Sequence, residues 1–164
     1  MSLKDTIEQT QQAFRDKPKA AFATVKTSST LTDRFRSEIS IRHHDLVIDE
    51  PQSLGGTDSG PNPIEVLLAA LGSCQEITYR AFATSMDIPL KKVSTRVEGD
   101  IDFRGFFGVD DSVRAGYQKI RIVVNIESTA SDEQLAKLKH AVDSHCPVLD
   151  MLQNPVPVEA SIVR

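Results

Sequence analysis

Apolar and polar residues alternate with a period of two over residues 35–42. Phe35, Ser37, Ile39 and Ile41 share one side, and Arg36, Glu38, Ser40 and Arg42 share the other. This is the pattern of a half-buried strand. His43-His44-Asp45 reads as a turn, and residues 46–49 as the returning strand of a hairpin. Residues 20–26 alternate more loosely and predict an earlier strand, followed by a Ser/Thr-rich turn. Further along, Val93, Thr95, Val97 and Ile101 mark a long strand, residues 120–126 a second, and residues 156–163 a closing strand.

Helical periodicity appears in three places. Residues 3–16 carry a thin apolar stripe of Leu3, Ile7 and Phe14, and Pro18 ends that helix. Residues 63–86 form a longer helix, with Pro63 in its first turn and Asn62 as its N-cap. Glu76 and Arg80 are spaced as an i,i+4 pair on it. Ser131-Asp132-Glu133-Gln134 is a capping box that opens a helix running to about Ser144. Between the two helices that follow residue 62, RGFFGVDDSVRAG interrupts the strands as a Gly- and Phe-containing excursion. Strands and helices arrive in blocks, not in βαβ alternation, so the class is α+β. No repeat or linker divides the chain. The expected organisation is a helical extension over residues 1–18 and a single domain over residues 19–164.

The chain's 164 residues suffice for one hydrophobic core. At 40% hydrophobic and 26% charged residues it has the balance of a soluble globular protein. The net charge of −4 leaves no surplus of Lys and Arg for neutralising phosphates, which argues against nucleic acid as a partner. The polar N-terminus shows no export signal, and the longest apolar run, near Val66, is too short to span a bilayer. The expected compartment is the cytoplasm, where thiols stay reduced.

That context directs attention to the only two cysteines, Cys74 and Cys146. Cys74 shares a helix face with Leu67, Ala70, Leu71, Ile77, Thr78 and Ala81, so periodicity places it on the buried stripe. Burial by itself raises a thiol pKa and makes it inert. Reactivity requires a cation or a hydrogen-bond donor from another element, and Arg34, Arg36 and Arg42 are the candidates, with Arg36 the best placed. Cys146 precedes Pro147, which disfavours helical geometry there and predicts a thiol at a bend instead of deep in a packed stripe. If the two sulfurs meet, one can react with an oxidant and the other resolve the product as a disulfide. Sequence separation alone does not show that they meet.

Other chemistries lack their patterns. His43 and His44 point to opposite faces of a strand, and His140, His145 and Cys146 make only a partial zinc set. No metal and no cofactor is expected. GGTDSG lacks the GK[ST] ending of a phosphate loop, and no GxSxG elbow is present.

Four segments together resemble the OsmC/Ohr family. They are Asp49-Glu50-Pro51, the loop from Leu54-Gly55-Gly56-Thr57 to Pro61-Asn62-Pro63, the helix from Glu65 to Gly72-Ser73-Cys74, and His145-Cys146-Pro147-Val148. The resemblance covers residues 30–164. It implies an OsmC-like α+β fold, with antiparallel sheets wrapped around two central helices in an intertwined homodimer and active sites at the dimer interface. It implies a thiol-dependent peroxidase that reduces organic hydroperoxides as part of an oxidative-stress response. In that role Cys74 is the peroxidatic thiolate and Cys146 the resolving cysteine. An early-strand Arg, here Arg36, holds the thiolate, and a helix Glu, here Glu65, positions the Arg. A lipoyl-type dithiol is the implied reductant. Leu67, Leu71, Ile77, Phe106 and Phe107 are the candidate substrate-binding residues, an apolar lining suited to an alkyl chain.

One departure stands out. In peroxidase members the Glu directly follows the Asn-Pro pair, whereas here Ile64 holds that place and Glu65 comes one later. Glu65 lies nine positions before Cys74, about 180° around an ideal helix. Glu50 is the substitute candidate. Two alternatives therefore stand beside the peroxidase. One is a non-peroxidase member that binds a small apolar ligand at the dimer interface, and the other is a different thiol/disulfide chemistry.

Overall fold

The computed structural model describes residues 1–164. The chain divides into two compact units, Met1–Ala69 and Ala70–Arg164.

The first unit begins with helix α1 (Leu3–Asp16), which buries no residue. Ser2 caps it reciprocally with Asp5: the Ser2 hydroxyl accepts the Asp5 N–H, and the Asp5 carboxylate accepts the Ser2 N–H. The strand expected over residues 20–26 is absent. Pro18–Ala21 is a single 3-10 turn, and strand β1 is instead Ser28–Asp33, where a Ser/Thr turn was expected. Every residue of β1 is exposed, so no burial pattern marked it. It is a strand because its backbone pairs antiparallel with β2 (Arg36–Ile41), Leu31 opposite Ser37. β2 pairs in turn with β3 (His44–Ile48), Ile39 opposite Leu46, which forms the expected hairpin. The turn, however, is Arg42-His43, and His44 and Asp45, expected in the turn, already pair with Ile41 and Ser40.

β3 ends in buried Ile48, and buried Asp49 follows it. The Asp49 carboxylate organises the loop that follows. One oxygen accepts the Glu50 N–H at 2.8 Å, and the other accepts the Thr57 and Ser59 hydroxyls at 2.6 and 2.9 Å together with their two N–H groups. These donors hold its pKa well below the ordinary carboxyl range, the Thr57 hydroxyl foremost, against a smaller opposing effect of burial. Gly56 closes the loop, since a Cβ there would collide with the Glu50 carbonyl. Helix α2 (Pro63–Ser85) then starts as expected. Asn62 accepts the Glu65 N–H at 2.9 Å, and Glu65 accepts the Asn62 N–H at 2.8 Å.

In the second unit, β4 (Lys92–Asp100) and β5 (Lys119–Glu127) form an antiparallel pair with Val93 opposite Ile126 and Val97 opposite Ile122. Between them, the short helix α3 (Phe103–Phe106) lies within the excursion. Helix α4 (Asp132–His145) begins at the Ser131 capping box, and α5 (Pro147–Gln153) follows after a one-residue break. Sequence pattern had not indicated α5. The core gathers Tyr79, Ala83, Ile88, Leu90, Leu138 and Val142, with Val93, Val124 and Ile126 packed against it. Full burial stabilises an aliphatic side chain of this kind by about 1.5–3 kcal/mol.

α2 approaches the β-pair closely at Gly72, where an added Cβ would lie 2.8 Å from Thr95 Oγ1. The helix ends at Asp87, whose φ of 54° lets the Ile88 N–H reach back to the Ala83 carbonyl at 2.9 Å. Glu76 and Arg80, expected as an i,i+4 pair, each take partners off the helix. Glu76 accepts the N–H and hydroxyl of Thr95, and Arg80 donates to the carbonyls of Leu90 and Lys91. The closing strand expected over residues 156–163 does not form. The segment has no regular structure, and Val158, Ile162 and Val163 are exposed. A strand exists only with a backbone partner, which alternation in sequence does not supply. No helix is long and apolar enough to cross a membrane.

Candidate active site

Two helical elements of the second unit bring the cysteines together. α2 carries Cys74, and the break between α4 and α5 carries Cys146. Cys146 has an extended backbone (φ −77°, ψ 110°), which is what a following proline demands. It ends α4 by donating its N–H to the Val142 carbonyl at 2.9 Å and starts α5 by accepting the Asp150 N–H at 2.9 Å. The expected bend is present. The expected shallow position is not, because Cys146 is 0% exposed. Packing around Leu138 and Val142, both also fully buried, draws the end of α4 inward.

Both cysteines are free thiols, and their sulfurs lie in hydrogen-bond contact at 3.4 Å. Cys74 is the more accessible of the pair, being only partly buried. This differs from the stripe read from periodicity. The side of α2 that is buried carries Leu71, Gly72, Gln75, Thr78, Tyr79 and Ala83, and Cys74 lies at its margin. Desolvation by burial is the largest influence on Cys74 and pushes its pKa up. The Val148 backbone N–H opposes that rise, the neighbouring Cys146 adds to it, and the Thr78 hydroxyl lowers it slightly. The Thr78 hydroxyl also bonds the Cys74 carbonyl at 2.7 Å.

The other sequence candidates fall in several places. Arg36 lies on β2 in the first unit, where it pairs with Glu38 at 3.4 Å. Arg34 and Arg42 occupy the tight turns at either end of β2, each with positive φ. Glu65 spends one carboxylate oxygen on the Asn62 N–H. Leu71 is buried, whereas Ile77 is 69% exposed and Leu67 also reaches solvent. Phe106 and Phe107 pack edge to face, with centroids 4.9 Å apart, on the exposed surface of the excursion. His145 is occupied structurally: its Nδ1 meets the Ala141 carbonyl at 2.7 Å, and its ring packs at a tilt against Phe82. Sequence reasoning missed Thr78 and the Val148 N–H as groups acting on Cys74. Thr78 lies four residues after Cys74, a helical spacing that carried the signal. Val148 needed knowledge of α5.

A long helix bearing one thiol, with antiparallel strands and a second helix ending at the other thiol, makes this an α+β chain. Solved structures share its fold. An OsmC-like protein from Mycoplasma pneumoniae superposes with a TM-score of 0.70 at 20% identity, covering 81% of this chain and 89% of that one. An organic hydroperoxide resistance protein OsmC from Legionella pneumophila superposes with a TM-score of 0.58 at 20% identity, covering 82% and 92%. In sequence, an uncharacterized protein of Haloferax volcanii is 27% identical over 141 residues, 85% of this chain and 95% of that protein. The model of the OsmC-like protein family matches residues 56–161, and the chain belongs to that family.

Proposed function

We propose that the protein is a thiol-dependent peroxidase for organic hydroperoxides, with Cys74 as the attacking sulfur and Cys146 as the resolving one. The observation that carries this reading is the 3.4 Å approach of the two sulfurs with Cys74 on the accessible side. Family membership and the hydroperoxide-resistance relative support it.

The Cys74 thiolate attacks the distal peroxide oxygen. The O–O bond breaks, Cys74 becomes a sulfenic acid, and the alkoxide leaves as an alcohol after taking a proton. Cys146 then attacks the sulfenic sulfur, a disulfide forms and water leaves. A dithiol of the lipoyl type returns both cysteines to thiols and is itself oxidised to a cyclic disulfide. A raised thiol pKa leaves little thiolate at neutral pH, so the reading calls for a cation. Arg36 is proposed to supply it, with Glu65 or Glu50 orienting the guanidinium. Leu67, Leu71, Ile77, Phe106 and Phe107 are proposed to contact the alkyl group of the peroxide. Exposed Leu67 and Ile77 on α2 and the exposed valines near the C-terminus support a homodimer as the working form, since apolar surface of this kind favours association.

The test is turnover of cumene hydroperoxide with dihydrolipoamide as reductant. Cys74→Ser is expected to abolish it. Cys146→Ser is expected to stop after one turnover, leaving a sulfenic acid on Cys74 that dimedone captures. Undiminished turnover by the Cys74→Ser protein overturns the proposal.

A further inference from the structure

The second unit contains a cavity that the thiol chemistry does not use. It has a volume of about 350 Å³ and lies among α2, β5, α4 and α5. That size lies within the range of small-molecule sites. Ile122 and Val124 of β5 and Leu149 of α5 give it apolar walls. Polar groups interrupt them, and one of these lacks a partner. Gln75 is 2% exposed, and its Nε2 is buried without a hydrogen-bond partner. A buried amide donor left unpaired is costly, and native cores seldom keep one without a reason.

The charges around the cavity cancel. Lys139 and Asp143, which line it from α4, form an ion pair with each other. Tyr79, also on the lining, is held in its neutral phenol form, because burial and then Asp143 push its pKa up. A donor without a partner, apolar walls and no net charge describe the complement of a neutral carbonyl compound.

We propose that this cavity is a binding site, separate from the Cys74–Cys146 pair, for a small neutral apolar molecule carrying one carbonyl group, whose oxygen accepts a hydrogen bond from Gln75 Nε2. The apolar body of the ligand lies against Ile122, Val124 and Leu149. A carboxylate ligand is disfavoured, because no uncommitted cation lines the cavity to offset its desolvation.

Cyclohexanone and methylenecyclohexane separate the hydrogen bond from the apolar contact, since they have nearly the same shape and only the ketone has an acceptor. Each is titrated into the full-length protein and followed by NMR of the glutamine side-chain amides. Cyclohexanone is expected to shift the Gln75 amide signals and to bind about three- to tenfold more tightly than methylenecyclohexane. Gln75→Leu is expected to erase that preference while keeping the alkene's affinity. Ala136→Trp, which fills the cavity from α4, is expected to abolish binding of both probes and stands as an independent test should Gln75→Leu not fold. The proposal is overturned by equal affinities in the wild-type protein, by unmoved Gln75 signals at saturation, or by undiminished binding of the ketone to the Ala136→Trp protein.

Discussion

Treating the reduced protein with one equivalent of cumene hydroperoxide per chain asks whether Cys146 can resolve an oxidised Cys74. The sulfurs start 3.4 Å apart, and a disulfide needs them about 1.4 Å closer. Cys146 and Val142 are both fully buried, so the movement falls mainly to the more accessible Cys74. The bond would close a loop of 72 residues. In the chain-entropy model this removes roughly 15 cal/mol/K from the unfolded state, or about 4 kcal/mol at 25 °C, less any strain in the folded state. For a chain of this size that corresponds to a rise in Tm of about 8–16 °C. Intact-mass spectrometry should show the loss of two hydrogens, reversed by dihydrolipoamide, and calorimetry should show the higher Tm of the oxidised form. A product that instead gains oxygen at Cys74 without losing hydrogens would refute the resolving role of Cys146. A disulfide form that melts at or below the reduced one would refute the claim that the folded state accepts the bond with little strain.

Three further outcomes follow from the same geometry. Cys146→Ala removes a neighbour that raises the Cys74 pKa, so the pH midpoint for alkylation of Cys74 by iodoacetamide should move down; an unchanged or higher midpoint contradicts the coupling. Asp49 has a lowered folded pKa, so its contribution to stability is complete above the unfolded carboxyl value near pH ~4 and is lost as pH falls from there through the lower folded value. Acid unfolding of Asp49→Asn should therefore show a shallower dependence over that window than the wild type, with lower stability at neutral pH. Leu138→Ala empties a fully buried site two turns before Cys146 and should cost about 2–5 kcal/mol, read as a lower urea midpoint with an unchanged slope.

Elements specified by neighbours in sequence were legible without a structure. Asn62 and Pro63 set the start of α2, Ser131 and Gln134 the start of α4, and alternation marked β2, β4 and β5, because caps and pleats act over a few residues. The pair Cys74 and Cys146 was legible through the motifs around each. Elements that depend on distant backbone were not. β1 is exposed along its whole length and exists through its pairing with β2, while the valine-rich segment over residues 156–163 alternates well yet finds no partner within the chain. Pro147 was recognisable as the cause of a bend at Cys146, but the helix α5 that follows it was not. The sequence by itself determined that one thiol would stand on a long helix and the other at a Cys-Pro bend. Tertiary packing decided that Leu71, Gln75 and Tyr79 would be the buried side of that helix, that Cys74 would remain partly open, and that the two sulfurs would meet. The physical reason is that helical period fixes which residues share a face, whereas the choice of face and the approach of distant residues depend on the surfaces that pack against it.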